Sequence, residues 1–225
     1  MMFLEKLVRA DELRPSRLHT QAGEFCGWGQ LPRLLPSAWT WLNFRLTGHR
    51  AVAPWWTWEA IRFVEKEVRK TDRILEAGAG YSSLWLAERC RAIRSIESLA
   101  AWNRRLRSEA AARGLLNLEI VEAQDTSAAF ARMMTEAIAD GEPYDVVVID
   151  SAGDRTSMFR MLGEVALTIA PRLIVYDNTD RIDDRSAVSA FQNPSYQKHL
   201  FRGFGPQLVH AWETTVLLKR TDQNA

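Results

Sequence analysis

The 225-residue sequence has few residues of the types that build disulfide frameworks or zinc sites. It contains two cysteines, Cys26 and Cys90, which lie far apart and form no Cys-x-x-Cys motif, and four histidines. A disulfide framework and a zinc site of the usual spacing are therefore not expected. Neither sign of charge dominates, since the formal net charge is +1. The overall charge thus gives no reason to expect nucleic acid or an anionic membrane as a partner.

Long apolar runs are also missing. The longest uncharged run in the N-terminal part, Leu34 to Phe44, has 11 residues, whereas a membrane-spanning helix needs about 20. The first ten residues include Glu5, Lys6 and Arg9, which is not typical of a signal peptide. We therefore expect a cytoplasmic protein with no membrane partner, and the hydrophobic content of 47% is enough for one full core.

Residues 1–56 differ in composition from the rest of the chain. They hold four of the eight prolines and five of the nine tryptophans, namely Trp28, Trp39, Trp41, Trp55 and Trp56. No strand alternation is sustained, which predicts short helices and loops. This N-terminal segment is either a lid whose aromatic rings wall a substrate pocket, or a helical extension whose rings serve packing or a homodimer contact.

From residue 57 the pattern becomes periodic, and residues 57–225 are predicted to form the main domain. Thr57 is placed to cap a helix with Ala60, Ile61, Val64 and Val68 on its apolar face. The chain then alternates short apolar runs with helical patterns, which indicates a parallel sheet with helices on both faces. Strands are predicted at Ile74–Leu75, Ala92–Glu97, Leu118–Glu122, Tyr144–Ile149, Leu173–Tyr176, Lys198–Phe201 and Thr214–Lys219, the last two after a polar loop.

The first of these strands leads into a glycine turn. The run Leu75-Glu76-Ala77-Gly78-Ala79-Gly80 ends a strand and is followed by a helical pattern from Tyr81. Glycine permits positive φ and a close approach of the backbone to a ligand. Such turns at the carboxyl ends of parallel strands are where open α/β sheets bind nucleotides.

Two ligand classes compete for this turn. A dinucleotide site has a third glycine, and here that place is Ser83. An acid before the first glycine, Glu76, suits a cationic ligand better than a diphosphate. The motif resembles the first motif of the class I methyltransferases that use S-adenosylmethionine (SAM). The resemblance implies a Rossmann-like methyltransferase fold with a mostly parallel seven-stranded sheet, and cofactor contacts from Glu76, Gly78, Gly80 and Ser82.

Two further residues are candidates for the cofactor site. Glu97 ends the second strand at the spacing expected for an acid that binds the ribose hydroxyls, although it could instead cap a helix. After the third strand come Gln124 and Asp125. The resemblance implies an adenine contact here, and Gln124 offers both a donor and an acceptor. Asp125 fits the N-cap of the next helix equally well.

The fourth and fifth strands end in Asp150 and in Asp177-Asn178. Because neighbouring parallel strand ends converge, three oxygen ligands could meet there and bind Mg²⁺. These segments look like the metal-binding segments of the catechol and caffeoyl-CoA O-methyltransferases. The lysine base of that family would fall at Gly153, so the base must lie elsewhere. The candidates are Asp150, Asp154, His199 and His210, and Asp150 also counts as a cofactor contact.

The sequence therefore predicts a SAM-dependent methyltransferase that acts on a small molecule, most readily at oxygen, with no nucleic-acid partner. A divalent metal is an optional participant. Two alternatives stay open at this point. One is a Rossmann-type NAD(P)-dependent oxidoreductase, and the other is a non-catalytic SAM-binding module.

Overall fold

The computed structural model describes residues 11–165 and 171–220. Its centre is a seven-stranded sheet with the order β3-β2-β1-β4-β5-β7-β6. The strands are β1 Arg73–Ala77, β2 Ala92–Glu97, β3 Leu118–Glu122, β4 Val146–Ile149, β5 Leu173–Asp177, β6 Tyr196–Gly205 and β7 Leu208–Lys219. The first five are parallel, and β7 runs antiparallel to both β5 and β6. The predicted mostly parallel sheet of seven strands is confirmed.

Seven α-helices surround the sheet in the described part of the chain. They are α1 Leu31–Thr47, α2 Trp58–Glu67, α3 Tyr81–Ala87, α4 Ala100–Ala112, α5 Thr126–Ala139, α6 Arg155–Val165 and α7 Ile182–Ala190. The predicted cap of α2 is present, because the Thr57 side chain accepts a hydrogen bond from the Ala60 N–H. The sequence pattern also predicts a helix from about Met158 to Ile169, and the end of that predicted helix lies outside the described residues.

Alternate residues of the central strands supply two cores, one on each face of the sheet. Val147 and Ile174 point into a cluster that α5 and α6 cover. Val146 and Val175 point into the opposite cluster, which α2 and α3 cover. Every residue of β4 and β5 is buried, as expected for strands with helices on both sides. This burial holds the carboxyl ends of β1, β4 and β5 in fixed positions.

Two predictions about local structure were wrong. The sequence predicts a polar loop after β5, but Ile182–Ala190 is helical. Its apolar residues are few, and the helix is fixed by burial of Asp184, Ala187 and Val188 rather than by a visible periodicity. The N-terminal segment contains a continuous helix of 17 residues, α1, in place of short helices. Pro32 lies in its first turn, where proline is tolerated, and Pro36 is accommodated inside.

The N-terminal segment is attached to the sheet by polar contacts. The Arg14 Nε donates to the Ala211 carbonyl oxygen at 3.0 Å, and the Gln21 N–H donates to Asp180 at 2.8 Å. In α1, Thr40 Oγ1 accepts the N–H of Gln207, in the turn between β6 and β7. The predicted division at residue 56 stays a prediction. Among the described residues, no helix is both long and apolar enough to cross a membrane.

Candidate functional site

A cavity of about 310 Å³ opens at the carboxyl ends of β1, β2 and β4. Its walls are formed by Trp55, Gly78, Ala79, Gly80, Tyr81, Ser82, Glu97, Leu99, Trp102 and Asp150. Five of the residues predicted from sequence therefore share one cavity: Gly78, Gly80, Ser82, Glu97 and Asp150. A second cavity of about 430 Å³ lies beside α6 and α7 and is lined by none of the predicted site residues.

Gly78 is the residue of the turn that must be glycine. Its φ is +98°, and a Cβ built there would lie 2.1 Å from the Asp150 carbonyl oxygen. The Gly78 and Ala79 N–H groups both donate to the Ile96 carbonyl oxygen, at 2.9 and 3.1 Å. The turn is thus packed between the ends of β2 and β4. At Gly80 the backbone is extended and a Cβ would have room.

Glu76 lies beneath this turn and is completely buried. Its carboxylate accepts hydrogen bonds from Ser82 Oγ at 2.5 Å, from Ser95 Oγ at 2.6 Å and from Ser83 Oγ. Burial raises the pKa of Glu76, while the serine hydrogen bonds counter part of that rise. Glu76 is not a wall residue of the cavity, and its visible action is to hold the serines at the start of α3.

Glu97 lies at the mouth of the cavity, at the end of β2. Its Oε1 accepts the N–H groups of Ser98 and Leu99, at 2.8 and 2.9 Å. These two bonds hold the Glu97 carboxylate in place at the carboxyl end of β2. In the described part of the chain no donor is bonded to Oε2, so that oxygen is available to a ligand.

Gln124 and Asp125 follow β3 and lie beside the cavity rather than in its wall. Gln124 Nε2 donates to the Ser98 carbonyl oxygen at 3.1 Å. That bond joins the loop after β3 to the loop that holds Glu97. Asp125 caps α5 by accepting the Ala128 N–H at 2.9 Å, so the structure agrees with its helix-capping alternative.

Asp150 and Asp177 end neighbouring strands and interact through their charges. The register pairs Ile149 with Tyr176, so the two acids follow at equivalent positions. Desolvation, together with the nearby Glu76, raises the pKa of Asp150 to about 7, although Arg155 lowers it. Burial and the charge of Asp150 raise the pKa of Asp177 as well. Each acid of this pair therefore favours its protonated form more than an isolated carboxyl group does, and only Asp150 lines the cavity.

The space beside Asp177 and Asn178 is occupied by a buried arginine. Arg155 donates to the Asp177 carbonyl oxygen and, at 3.4 Å, to Asn178 Oδ1. Its guanidinium lies 5.1 Å from the centre of the Tyr176 ring. Arg155 thus supplies a positive charge at this edge of the sheet, where the sequence predicted a metal ion.

Two of the three predicted metal ligands, Asp177 and Asn178, are already engaged by donors. Asp177 Oδ1 accepts from Trp212 Nε1 at 3.1 Å and from Thr214 Oγ1 at 2.5 Å. Asn178 Oδ1 accepts from two arginines. Over residues 11–165 and 171–220, no three His, Cys, Asp or Glu side chains are grouped to hold a metal ion. Because Mg²⁺ needs free oxygen ligands and is repelled by a guanidinium, these residues do not fit a divalent ion.

The structure explains the presence of an acid at position 154 and of glycine at position 153. Asp154 is exposed and accepts the N–H and hydroxyl of Ser157, at 3.0 and 2.6 Å, in the first turn of α6. Those bonds lower the pKa of Asp154. A Cβ at Gly153 would lie 2.2 Å from Thr126 Oγ1. The position at which a lysine base would fall is therefore filled by the start of α5.

Neither histidine proposed as a base lines the cavity. His199 lies on β6, where its ring is 4.5 Å from the Phe63 ring and stacks on Phe201. Burial lowers the pKa of His199. His210 lies on β7 against Trp212, and burial lowers its pKa to about 4.

The five N-terminal tryptophans have different surroundings. Trp55 lines the cavity. Trp56 is fully buried and packs edge-on against Trp85 at 6.3 Å. The others, Trp28, Trp39 and Trp41, are 70%, 69% and 42% exposed. The lid prediction therefore has one candidate side chain in the cavity wall, Trp55.

Arg50 and Trp102 were missed in the sequence. Trp102 Nε1 donates to the Ala79 carbonyl oxygen at 2.8 Å, which places its ring across the glycine turn. The Arg50 guanidinium lies 4.5 Å from the Phe44 ring centre, 5.2 Å from that of Trp55 and 5.9 Å from that of Trp102. No carboxylate of the described residues pairs with it, and its buried Nε has no hydrogen-bond acceptor. No sequence pattern predicts these three ring contacts of Arg50, because they join separate segments of the chain.

Comparison with known proteins gives the fold but no near relative. No protein-family model matches the sequence, and no curated protein matches it. Among solved structures, an O-methyltransferase from Bacillus cereus in complex with S-adenosylhomocysteine (SAH) is similar, with a TM-score of 0.56 and 17% identity. The match covers 86% of this chain and 92% of that one.

Two other solved structures share the fold. One is an rRNA methylase from Streptococcus thermophilus, with a TM-score of 0.52 and 11% identity over 71% of this chain and 93% of that one. The other is a precorrin-6y C5,15-methyltransferase from Geobacter metallireducens, with a TM-score of 0.51 and 14% identity over 71% and 86%. The chain thus has the Rossmann-like methyltransferase fold, which is shared by proteins with quite different acceptors.

Proposed function

We propose that this protein is a SAM-dependent methyltransferase. The observation that carries the proposal is the single cavity that joins the Gly78 turn, the Glu97 carboxylate and Asp150 at the carboxyl ends of β1, β2 and β4. In open α/β sheets this edge is the ligand-binding edge. The methyltransferase neighbours, one of them with SAH bound, support the same ligand.

The cavity residues suit the parts of this ligand. The backbone at Gly78 and Gly80 allows the methionine portion to approach closely, and Ser82 offers a hydroxyl there. The free Oε2 of Glu97 would accept hydrogen bonds from the ribose hydroxyls. Gln124, one loop further on, would contact the adenine. Arg50, a cation without a carboxylate partner among the described residues, would bind the carboxylate of the ligand.

When bound, SAM supplies an electrophilic methyl group on its sulfonium. The chain has to hold the acceptor in line with that methyl group, and positioning of this kind supplies much of the rate enhancement. An oxygen acceptor must also lose its proton as the new bond forms. Asp150 faces the cavity with a pKa near 7, so its carboxylate is suited to receive that proton.

We place the acceptor among small molecules with a hydroxyl group. The support is the cavity volume of about 310 Å³, the ring of Trp55 in its wall and the proposed base at Asp150. The charge of the chain is nearly balanced, whereas the phosphate contacts of nucleic-acid enzymes require many cations. An RNA acceptor, like that of the rRNA methylase neighbour, is the competing acceptor class.

A nicotinamide-dependent oxidoreductase is not favoured. The Ser83 hydroxyl, in place of the third glycine, accepts the Gly80 N–H at 2.9 Å and donates to Glu76. The N–H that would face a pyrophosphate is thereby used within the chain, and an acid lies below it. A non-catalytic SAM-binding module would share the cavity but would have no use for a titrating acid at Asp150.

The test is isothermal titration of the full chain with SAH, alongside the Glu97→Ala variant. We expect micromolar binding that weakens about tenfold to a hundredfold when the ribose contact is removed, because hydrogen bonds to a charged group are worth about 1.5–3 kcal/mol. The control is Glu119→Ala, which changes an exposed acid on β3 that forms an ion pair with Arg94. Absence of SAH binding together with binding of NADH would overturn the proposal.

A further inference from the structure

Helix α1 carries an apolar stripe on its outer side. The stripe consists of Leu31, Leu35, Trp39, Leu42 and Leu46, which are 41%, 75%, 69%, 41% and 76% exposed. At 3.6 residues per turn and a rise of about 1.5 Å per residue, these positions fall within an arc of about 80° and extend over about 22 Å of helix. An exposed row of large apolar side chains on one face marks an interaction surface.

The opposite side of α1 is fixed to the protein, so the stripe must face outward. Ser37 Oγ accepts the indole N–H of Trp58 at 2.9 Å, and Thr40 Oγ1 accepts the N–H of Gln207 at 2.8 Å. Ser37 is fully buried. These two polar side chains are thus turned toward α2 and the β6–β7 hairpin, whereas in an ordinary surface helix the polar side chains face the solvent.

The charge of this segment points to an anionic partner. Between Phe25 and Trp58 the sequence contains Arg33, Arg45, His49 and Arg50 but no Asp or Glu. Arg33 pairs with Glu59 at 3.7 Å. Arg45, in the last turn of α1, is exposed and has no acidic partner among the described residues, and its guanidinium lies 5.8 Å from the Trp41 ring centre.

The aromatic composition favours a lipid surface over a second copy of the chain. Trp28, Trp39 and Trp41 are exposed on or next to α1, and tryptophan is enriched where membranes meet water. A second copy would bring one acid-free, cationic segment against another, without carboxylates to pair. A flat anionic surface accepts both the straight apolar row and the arginine beside it.

We propose that the α1 stripe binds the surface of an anionic lipid bilayer, with the helix lying in the plane of the headgroups. The near-zero net charge of the whole chain conceals this local excess of cations. The inference does not depend on the methyltransferase proposal, since it concerns a face whose residues do not line the Gly78 cavity.

The test is flotation of the full-length protein with two kinds of vesicles, pure phosphatidylcholine and an equal mixture of phosphatidylcholine and phosphatidylglycerol. We expect the protein to float with the mixed vesicles and to do so less at high salt. Trp39→Glu should reduce the partition about tenfold or more, because it removes a large apolar contact. Arg45→Ala should reduce it about fivefold.

The matched control is Leu116→Glu, which changes an exposed leucine (97%) in the turn between α4 and β3. It should float like the unchanged protein. Thermal unfolding of every variant separates loss of vesicle binding from misfolding, and SAH titration tests the proposed function separately. The inference is overturned if the protein ignores both vesicles, binds both equally, or loses binding equally in the control. It is also overturned if sedimentation shows a dimer that Leu35→Glu dissociates, without flotation.

Discussion

The guanidinium of Arg50 lies 5.2 Å from the centre of the Trp55 ring, and Trp55 is part of the wall of the Gly78 cavity. A cation held by aromatic rings and lacking a carboxylate partner in the described structure retains its full charge for a ligand. This relationship places a positive group next to a wall residue of the Gly78 cavity, where the proposed function would use it to bind the carboxylate of the ligand.

Arg50→Ala should weaken SAH binding about tenfold, because it removes a charge-assisted contact to the ligand carboxylate. Binding of 5′-methylthioadenosine, which lacks that carboxylate, should not change. Both affinities are measured by isothermal titration, and Arg105→Ala is the control, since Arg105 also lies over Trp102 but pairs with Glu109. Equal weakening of both ligands would show that Arg50 acts only through packing.

Gly78→Ala should destabilise the protein by on the order of 3 kcal/mol and abolish SAH binding. The new Cβ meets the Asp150 carbonyl oxygen and the φ of +98° is strained for alanine. Gly80→Ala has room for its Cβ and should leave stability within about 1 kcal/mol, while SAH binding weakens because the backbone must approach the ligand. Chemical unfolding and titration check both variants, and equal stability loss would contradict this distinction.

Asp150→Asn should change the dependence of stability on pH. The folded pKa of Asp150, about 7, exceeds the unfolded value of about 3.9. The stabilisation from protonated Asp150 is therefore fully present below about pH 4. It is lost as the pH rises to about 7, and the free energy of unfolding then depends no further on this group. The variant should raise Tm by at least about 2 °C at pH 8 and leave it unchanged at pH 4.

The same variant should lose methyl transfer to an oxygen acceptor, because the amide cannot take the proton. Asp154→Asn is the control, since Asp154 is an exposed helix cap whose pKa is lowered. That control should cost stability at neutral pH and none in acid. A Tm for Asp150→Asn that falls at pH 8 would show that the Asp150 carboxylate is stabilising and would exclude the raised pKa.

Mg²⁺ should not bind at the strand ends. Arg155 supplies the charge there, and the Asp177 and Asn178 oxygens are bonded to donors. Thermal unfolding with SAH present should give the same Tm in excess Mg²⁺ as in EDTA. A Mg²⁺-dependent rise in Tm that disappears in Asp177→Asn would restore the metal site expected from the resemblance.

The sequence was sufficient for the fold because its signals were local. The Gly78 turn, the cap at Thr57 and the apolar runs of the strands all lie within a few residues of the feature they predict. The place of Glu97 followed from its position at the end of β2. The roles of the predicted site residues toward a ligand stay predictions, although five of those residues line one cavity.

The features that sequence could not give depend on contacts between distant segments. Arg155 reaches Asp177 from another element, and Arg50 reaches Trp102. The sequence does not explain why glycine is present at position 153, where the resemblance expects a lysine. The structure shows that Thr126 occupies the space that a side chain there would need. The outward stripe of α1 has the spacing of a buried face, so only the structure reveals that it is exposed.

Strand β7 comes last of the seven in chain order, yet it lies between β5 and β6 in the sheet. It also carries Trp212 and Thr214, which hold the Asp177 carboxylate. During synthesis on a ribosome, the edge of β5 therefore stays unpaired until β7 has emerged. A chain that stops before Leu208 would have an open edge on β5 and an Asp177 carboxylate without its Trp212 and Thr214 donors.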